Sequence, residues 1–305
     1  MTDTVPRSSP PVVVPAQDAQ PLEVGAWAAG PLPRLRRWLP PLLLVAGLVA
    51  LWQAWVIFGH IDAYVLPTPG RIVRAAWQSA HLLPQHLWAT VVASAAGLAA
   101  GAVAGVALAM LIVRVRLVRQ VLYPLLVVSQ TIPMVVLAPL LIIWFGFGLT
   151  PRIVVVALIV FFPVLVSVVT AVDQADRDLV ELVRSMGASS RQVLRLVQAP
   201  AAVPAFFAGL RIAAAYTIGG AVIAEFVNPN GGGLGVFITR SKQAYAVDRI
   251  FVAVVIIGLL TAALFAAVDV AARLAVPWQQ TARSTGRRDR RPHPTAYRPA
   301  TKDLP

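Results

Sequence analysis

The stretch HLWATVVASAAGLAAGAVAGVALAMLIV, residues 86–113, contains no Asp, Glu, Lys or Arg. About 20 consecutive apolar residues are enough for a helix to cross the roughly 30 Å hydrocarbon layer of a bilayer. Over the whole chain 58% of the residues are hydrophobic and 13% are charged, whereas about 25% charged residues is usual in a soluble domain. Uninterrupted apolar blocks of this kind indicate membrane-spanning helices rather than a soluble core.

The same pattern recurs along most of the chain. Five further charge-poor stretches are residues 38–59, 120–151, 153–172, 201–225, which Arg211 interrupts, and 251–268. The sequence therefore predicts an all-α, polytopic membrane protein with about six transmembrane helices. This six-span domain, residues 38–278, lies between a disordered N-terminal tail, residues 1–37, and a basic C-terminal tail, residues 279–305.

The basic residues predict how the chain is oriented. One side of the six-span arrangement carries most of them, namely Arg34, Arg36, Arg37, Arg114, Arg116, Arg119, Arg177, Arg184, Arg191, Arg195, Arg273 and the C-terminal cluster RRDRRPHP. The other side carries Arg71, Arg74, Arg152, Arg240, Lys242 and Arg249. The positive-inside rule then predicts a multi-pass protein of the plasma membrane with both termini in the cytoplasm. The net charge of +13 is thereby explained without a nucleic-acid partner.

A charged stretch, RDLVELVRSMGASSRQVLRLVQAP, separates the fourth and fifth predicted spans at residues 177–200. Asp178 and Glu181 have the spacing of a capping box, which predicts that a helix begins there. Leu179, Val183 and Met186 then form an apolar stripe, with spacings of four and three residues. This helix is far too short to cross a membrane.

The end of that helix is also predicted. Gly187 stands where a C-terminal cap requires a left-handed residue, and Ser189 with Gln192 has the spacing of a second capping box. The second short helix leads to Pro200, a residue suited to the first turn of the fifth span. From the residues alone, two interpretations are equally open: an amphipathic loop on the lipid headgroups, or a docking surface for a second protein.

This stretch resembles the EAA loop of the membrane subunits of ABC importers. Glu181, Gly187, Val197 and Pro200 stand at the spacing of that motif. Three positions depart from its commonest form, namely Leu182, Val183 and Ala199. The resemblance extends to VLAPLLIIWFGFG (136–148), FFPVLVSVV (161–169) and residues 224–278, which are similar to permeases for sulfonates, taurine, nitrate or the pyrimidine precursor of thiamine.

The resemblance implies a transport subunit with several partners: a second permease subunit, most simply a copy of this chain, a cytoplasmic ABC ATPase, an extracytoplasmic substrate-binding protein and membrane lipid. It implies that the EAA loop couples the permease to the ATPase through Leu179, Glu181, Val183, Met186, Gly187, Ala188, Arg191 and Pro200. The chain has no G-x-x-x-x-G-K-[ST] loop and no cysteine, so we expect neither ATPase activity nor a cofactor or metal of its own.

Candidates for the substrate pathway are fewer. Pro133 lies with Gln130 and Thr131 in SQTIPM, residues 129–134, where prolines predict a kinked or broken helix. Glu225 at the end of the fifth span is an intramembrane carboxylate, either functional or merely hydrated. Arg211 must face protein or water, or snorkel. The glycine-rich NPNGGGLG, residues 228–235, favours a flexible chain reversal over a gate element.

Two other classes of function, a secondary transporter and an integral-membrane enzyme, fit the sequence less well. A secondary transporter would need an ion-coupling site within the membrane, and the first four predicted spans contain no charged residue. An integral-membrane enzyme would need a catalytic constellation, but the four histidines are dispersed and form no H-E-x-x-H pair. Of these the secondary transporter is the stronger alternative.

Overall fold

The computed structural model describes residues 34–115, 117–121, 128 and 132–277, and every regular element in these ranges is helical. The helices are α1 (Arg34–Phe58), α2 (Pro69–Gln78), α3 (Leu83–Arg114), α4 (Met134–Phe145), α5 (Leu149–Asp173), α6 (Arg177–Ser185), α7 (Ser190–Val193), α8 (Ala199–Val227), α9 (Leu234–Gln243) and α10 (Val247–Ala275). A π-helical turn, Leu194–Gln198, joins α7 to α8. Most of both predicted tails, and the pathway candidates Gln130 and Thr131, lie outside the described residues.

Five helical stretches in the described ranges are long and apolar enough to cross a membrane: Leu39–Phe58, Leu83–Arg114, Leu149–Asp173, Ser190–Val227 and Val247–Ala275. They correspond to five of the six predicted spans. In the remaining one, predicted over residues 120–151, the described part holds the shorter apolar helix α4. The predicted all-α class of a polytopic membrane protein is confirmed.

The boundary between the third and fourth predicted spans is wrong. α4 is capped at Gly146, whose φ is +75°, and Gly148 follows at +141°. Glycine adopts such conformations without the steric cost that a Cβ would bring, so the chain breaks there. α5 then begins at Leu149, which places Pro151 in its first turn rather than at the end of the preceding span.

The core forms where α3, α5 and α8 pack together. Its buried residues are Ala109, Ile112, Val156, Val160, Val164, Leu165, Val168, Val169, Ala213 and Ala221. Along α3, Gly97, Gly101 and Gly105 recur at every fourth position and face α5. A Cβ on Gly105 would lie 2.9 Å from the carbonyl oxygen of Phe161. Small residues at this spacing let two membrane helices approach closely.

Contacts divide the chain inside α1, between Leu51 and Trp52. In the part of α1 before this division, the side chains from Leu39 onward are exposed and largely apolar. A helix that is apolar all round suits a lipid environment.

Within the larger unit, two sets of contacts identify the ends of the core helices. Asn228, just after α8, donates from Nδ2 to the carbonyl oxygen of Gly148, just before α5, at 2.8 Å. α5 and α8 are therefore antiparallel. Arg119, beyond α3, pairs with Asp173 at the end of α5. The two connections at the ends of α8, residues 176–198 and residues 228–233, consequently lie at opposite ends of the core.

Candidate functional site

The EAA segment, residues 176–200, begins with an aspartate cap. Asp176 Oδ1 accepts hydrogen bonds from the backbone N–H groups of Asp178, at 3.0 Å, and Leu179, at 3.3 Å. α6 therefore begins at Arg177, and the predicted capping box of Asp178 and Glu181 is wrong. The carboxylate of Asp176 already satisfies two of the unpaired donors of the first turn, which leaves Asp178 inside the helix.

α6 ends as its sequence predicts. Gly187 has a φ of +86°, and its N–H donates to the carbonyl oxygen of Arg184 at 2.9 Å. The N–H of Ala188 donates to the carbonyl oxygen of Val183 at 3.2 Å. These two bonds form a Schellman motif, in which a left-handed residue ends the helix. A Cβ on Gly187 would meet no atom within 4 Å, so the backbone conformation alone restricts this position.

The second half of the EAA segment differs from its prediction. Ser189 and Gln192 form the predicted capping box, with Gln192 Oε1 accepting from the N–H of Ser189 at 2.8 Å. The helix that starts there does not stop before the fifth span, because Ser190–Val227 is one continuous helical stretch. Pro200, which lacks an N–H and would crowd the preceding turn, follows the wider π-helical turn that accommodates it.

The side chains of α6 are accessible from outside the subunit. No residue of α6 is buried. The apolar side chains of Leu179, Leu182 and Met186 are 49%, 56% and 79% exposed, and Val183 is partly exposed beside them. A helix of nine residues is marginal by itself in water. An exposed apolar stripe on such a helix is typical of a surface that packs against a partner or a membrane.

The other candidate coupling residues lie on the same segment. Glu181 is exposed on α6, and Gly187 and Ala188 form the turn that follows. Arg191 is exposed on α7, while Pro200 is exposed in the first turn of α8. The EAA segment thus presents the eight predicted residues along one continuous surface connection between α5 and α8.

A buried polar cluster lies at the opposite end of the core. Its centre is Glu225, which is fully buried and accepts hydrogen bonds from Thr90 Oγ1 and from the N–H of Gly235, both at 2.8 Å. Thr90 Oγ1 in turn accepts from the N–H of Leu234 at 2.8 Å. The interpretation of Glu225 as a hydrated interfacial carboxylate is wrong, since the side chain is enclosed by protein.

Two further side chains contact the loop that follows α8. His86 Nδ1 lies 2.8 Å from the carbonyl oxygen of Gly233 and 3.1 Å from its nitrogen. Arg152 donates to the carbonyl oxygens of Gly232 and Asn228. Residues 228–235, which we call the anchored loop, are therefore fixed to α3, α5 and α8. The glycine-rich sequence favoured a flexible reversal here and gave no sign of this anchoring.

Gly233 fits the cluster for a steric reason. Its φ is +135°, and an added Cβ would overlap the carboxylate of Glu225. Glycine is required both for the backbone conformation and for the close approach. In the sequence, the only sign of this cluster was the presence of polar residues near the ends of apolar spans. That these residues come together could not be predicted, because contacts such as that between Thr90 and Glu225 join distant parts of the chain.

The remaining predicted residues are placed as follows. Pro133 is the exposed N-cap of α4 and is not part of the polar cluster. Arg211 faces protein, because its guanidinium pairs with Asp269 on α10 at 2.5 Å. Arg273 contacts the same carboxylate at 2.7 Å. A charge inside the membrane region is expected to find such a partner.

Comparison with known proteins agrees with this architecture. Residues 97–280 match the family described as binding-protein-dependent transport system inner membrane component. The riboflavin transport system permease protein RibX of Chloroflexus aurantiacus is 37% identical over 243 residues, which cover 79% of this chain and 90% of the relative. The formylaminopyrimidine transport permease protein ThiX of Halalkalibacterium halodurans is 34% identical over 244 residues, covering 79% and 96%.

A third relative and one solved structure complete the comparison. The putative aliphatic sulfonates transport permease protein SsuC of Bacillus subtilis is 30% identical over 226 residues, covering 73% of this chain and 81% of the relative. A chain of the inward-facing MetNI methionine ABC transporter shares the fold, with a TM-score of 0.50 and 23% identity over 68% of this chain and 98% of that one. This chain belongs to the binding-protein-dependent transport family, the membrane-spanning permease subunits of ABC importers.

Proposed function

We propose that the EAA segment of this permease is its coupling element, which binds a cytoplasmic ABC ATPase and transmits the movement of that ATPase to the membrane helices. The observation that carries the proposal is the exposed apolar stripe of α6, formed by Leu179, Val183 and Met186 between two capped ends. An apolar face of three anchors at i, i+4 and i+7 is suited to a hydrophobic groove. The chain itself acts as a transport subunit and leaves ATP hydrolysis to the partner.

The continuity of the helix after Pro200 supports transmission. Ser190–Val227 runs without a break from the EAA segment to the anchored loop. Its far end is fixed by the hydrogen bonds of Glu225 and Asn228. A displacement of α6 would therefore be carried along one helix through the core, where α8 packs against α3 and α5.

The proposed orientation has both termini and the EAA segment in the cytoplasm, and the anchored loop on the other side. The arginine distribution supports it. Because the chain has no cysteine, single cysteines introduced at Met186 and Tyr245, both exposed, report topology without background. A membrane-impermeant maleimide added to intact cells should label the Tyr245→Cys protein and spare the Met186→Cys protein.

The substrate is proposed from the names of the relatives. Riboflavin and formylaminopyrimidine head the set, because the permeases named for them are the most similar of the three described above. Aliphatic sulfonates and taurine follow, for which further relatives are named, and nitrate completes the range on the sequence resemblance alone. Measuring which of these compounds binds to the extracytoplasmic binding protein that works with this permease tests the assignment.

We propose that a pair of permease subunits encloses the pathway, which is lined near Gln130, Thr131 and Pro133. Glu225 fixes the outer end of this pathway.

An ion-coupled secondary transporter is not favoured. Within the described spans, the carboxylate of Asp269 is paired with Arg211 and Arg273. The carboxylate of Glu225 is hydrogen-bonded by Thr90 and Gly235. Both acids therefore serve contacts inside the subunit, and family membership independently points to an ATP-driven importer.

The docking role can be tested by copurification of the ATPase with a tagged permease. Met186→Asp places a charge in the apolar stripe, and we expect recovery of the ATPase to fall at least tenfold, which corresponds to about 1.4 kcal/mol. Arg177→Ala is the matched control. Arg177 lies on the opposite side of α6, at an N-terminus where a positive charge is unfavourable, so its removal should spare the helix. Equal recovery from Met186→Asp and the unmodified protein would refute the docking role.

A further inference from the structure

The short helix α2 is fixed to the core by one of its sides. It begins after Thr68, whose Oγ1 accepts from the N–H of Arg71 at 3.4 Å, and Pro69 occupies its first position. Ile72 and Ala75 are buried in a cluster with Val252 of α10. One side of α2 is therefore accounted for by packing within the subunit.

The rest of α2 is exposed and has two chemically distinct stripes. Val73 and Trp77, four residues apart, are 71% and 86% exposed. Arg71, Arg74 and Gln78 form the second exposed stripe, at spacings of three and four residues. α2 contains no acidic residue. Ile72 and Val73 are adjacent apolar residues, but the first is buried and the second is exposed.

Other exposed aromatic side chains lie at the same end of the bundle. Trp55 is in the last turn of α1 and Trp88 is in the second turn of α3, and both are exposed. α2 lies between these two helix ends in the chain. Trp and Tyr side chains are enriched at the level of the lipid headgroups, where an apolar ring and a polar N–H are both satisfied. The exposed side chains of Trp55, Trp77 and Trp88 therefore indicate that α2 lies at the membrane–water interface.

We propose that α2 is an interfacial helix that binds anionic phospholipid. Val73 and Trp77 insert into the boundary between headgroups and acyl chains, while Arg71 and Arg74 contact lipid phosphates. Guanidinium groups suit phosphate because they donate two parallel hydrogen bonds. With one side packed on α10, the helix has its lipid-binding residues already oriented by the fold, as an amphipathic helix in the interface plane requires.

Site-directed spin labelling tests the depth of the helix. The full-length chain in nanodiscs of phosphatidylcholine and phosphatidylglycerol would carry a nitroxide at Val73→Cys or, as the matched control, at Gln78→Cys on the basic stripe. We expect the label at position 73 to collide with oxygen and to be shielded from an aqueous nickel complex. The label at position 78 should show the reverse. Equal access of nickel to both labels would overturn the proposal.

The lipid preference is tested separately by counting lipids that stay bound to the purified protein. Arg71→Ala combined with Arg74→Ala should lower the enrichment of phosphatidylglycerol over phosphatidylcholine, by roughly fivefold for each arginine removed. Arg240→Ala on α9 is the control and should leave the enrichment unchanged. An unchanged enrichment in the double variant would contradict the proposal. A label at position 73 that is shielded from the nickel complex only when the binding protein is added would also contradict it, because this surface would then bind a protein partner.

Discussion

The EAA segment and the anchored loop lie at the two ends of α8 and differ in what they expose and what they bury. In the anchored loop, buried polar groups of Thr90, Glu225 and Gly235 are bonded to one another. In the EAA segment, the apolar side chains of Leu179 and Met186 are left exposed by the rest of the subunit. Polar groups at one end of α8 are therefore satisfied within the subunit, whereas apolar side chains at the other end are left exposed by it, as the proposed docking of an ATPase requires.

This comparison predicts that equivalent changes at the two ends have different consequences. A change in the anchored loop should reduce the stability of the isolated subunit, because its contacts are internal. A change in the EAA segment should leave the subunit folded and weaken its association with the ATPase.

The largest effect is expected for Gly233→Ala. The new Cβ would overlap the Glu225 carboxylate, and the φ of +135° is unfavourable for alanine. Displacing the carboxylate also breaks its bonds to Thr90 and Gly235, each worth about 1–3 kcal/mol when a buried partner is left unsatisfied. We expect little monodisperse protein by size-exclusion chromatography in detergent. Gly219→Ala, where a Cβ meets no atom within 4 Å, should behave as the unmodified protein.

A smaller loss of stability is expected for Thr90→Val, which keeps the shape of the side chain. It removes the donor to Glu225 and the acceptor of the Leu234 N–H. We expect about 2 kcal/mol of destabilisation and a lower midpoint of thermal unfolding. Thr261→Val is the matched control, because Thr261 Oγ1 bonds only within its own helix, to the carbonyl oxygen of Ile257. Equal midpoints for the two variants would show that the cluster does not stabilise the fold.

Gly187→Val should weaken binding of the ATPase while leaving the subunit folded. No atom lies within 4 Å of the new Cβ, but a β-branched residue at φ +86° is strained by roughly 1–2 kcal/mol. Straightening the turn would displace the stripe of α6, so ATPase recovery should fall about tenfold at unchanged membrane abundance. Gly187→Asn should retain most of the recovery, since asparagine tolerates the left-handed conformation. Loss of abundance in Gly187→Val would mean that the EAA segment also serves the fold.

The smallest effect is expected for the ion pair between Arg119 and Asp173. Its two hydrogen bonds are short, at 2.8 and 2.6 Å, but the arginine side chain is half exposed and the pair is screened by solvent. Arg119→Ala should change the free energy of unfolding by less than about 1 kcal/mol. A larger shift in the unfolding midpoint than that of Thr90→Val would invert the proposed ranking.

The sequence predicted those features that depend on neighbouring residues. The apolar runs located five spans, and the left-handed Gly187 followed from its position after an amphipathic helix. Local ambiguity caused the error at the start of α6, where Asp176 and Asp178 are both good caps and only geometry selects the first. The anchoring of this loop could not be predicted, because Thr90 and Glu225 are far apart in sequence and come into contact only when three helices pack.

Cross-linking shows directly whether the EAA segment binds the ATPase. The cysteine-free chain would carry a photoactivatable cross-linker at Met186→Cys, at Arg177→Cys on the other side of α6, or at Tyr245→Cys at the opposite end of the core. We expect a cross-link to the ATPase that is strong from position 186, weaker from position 177 and absent from position 245. A cross-link from position 245, or none from position 186, would contradict it.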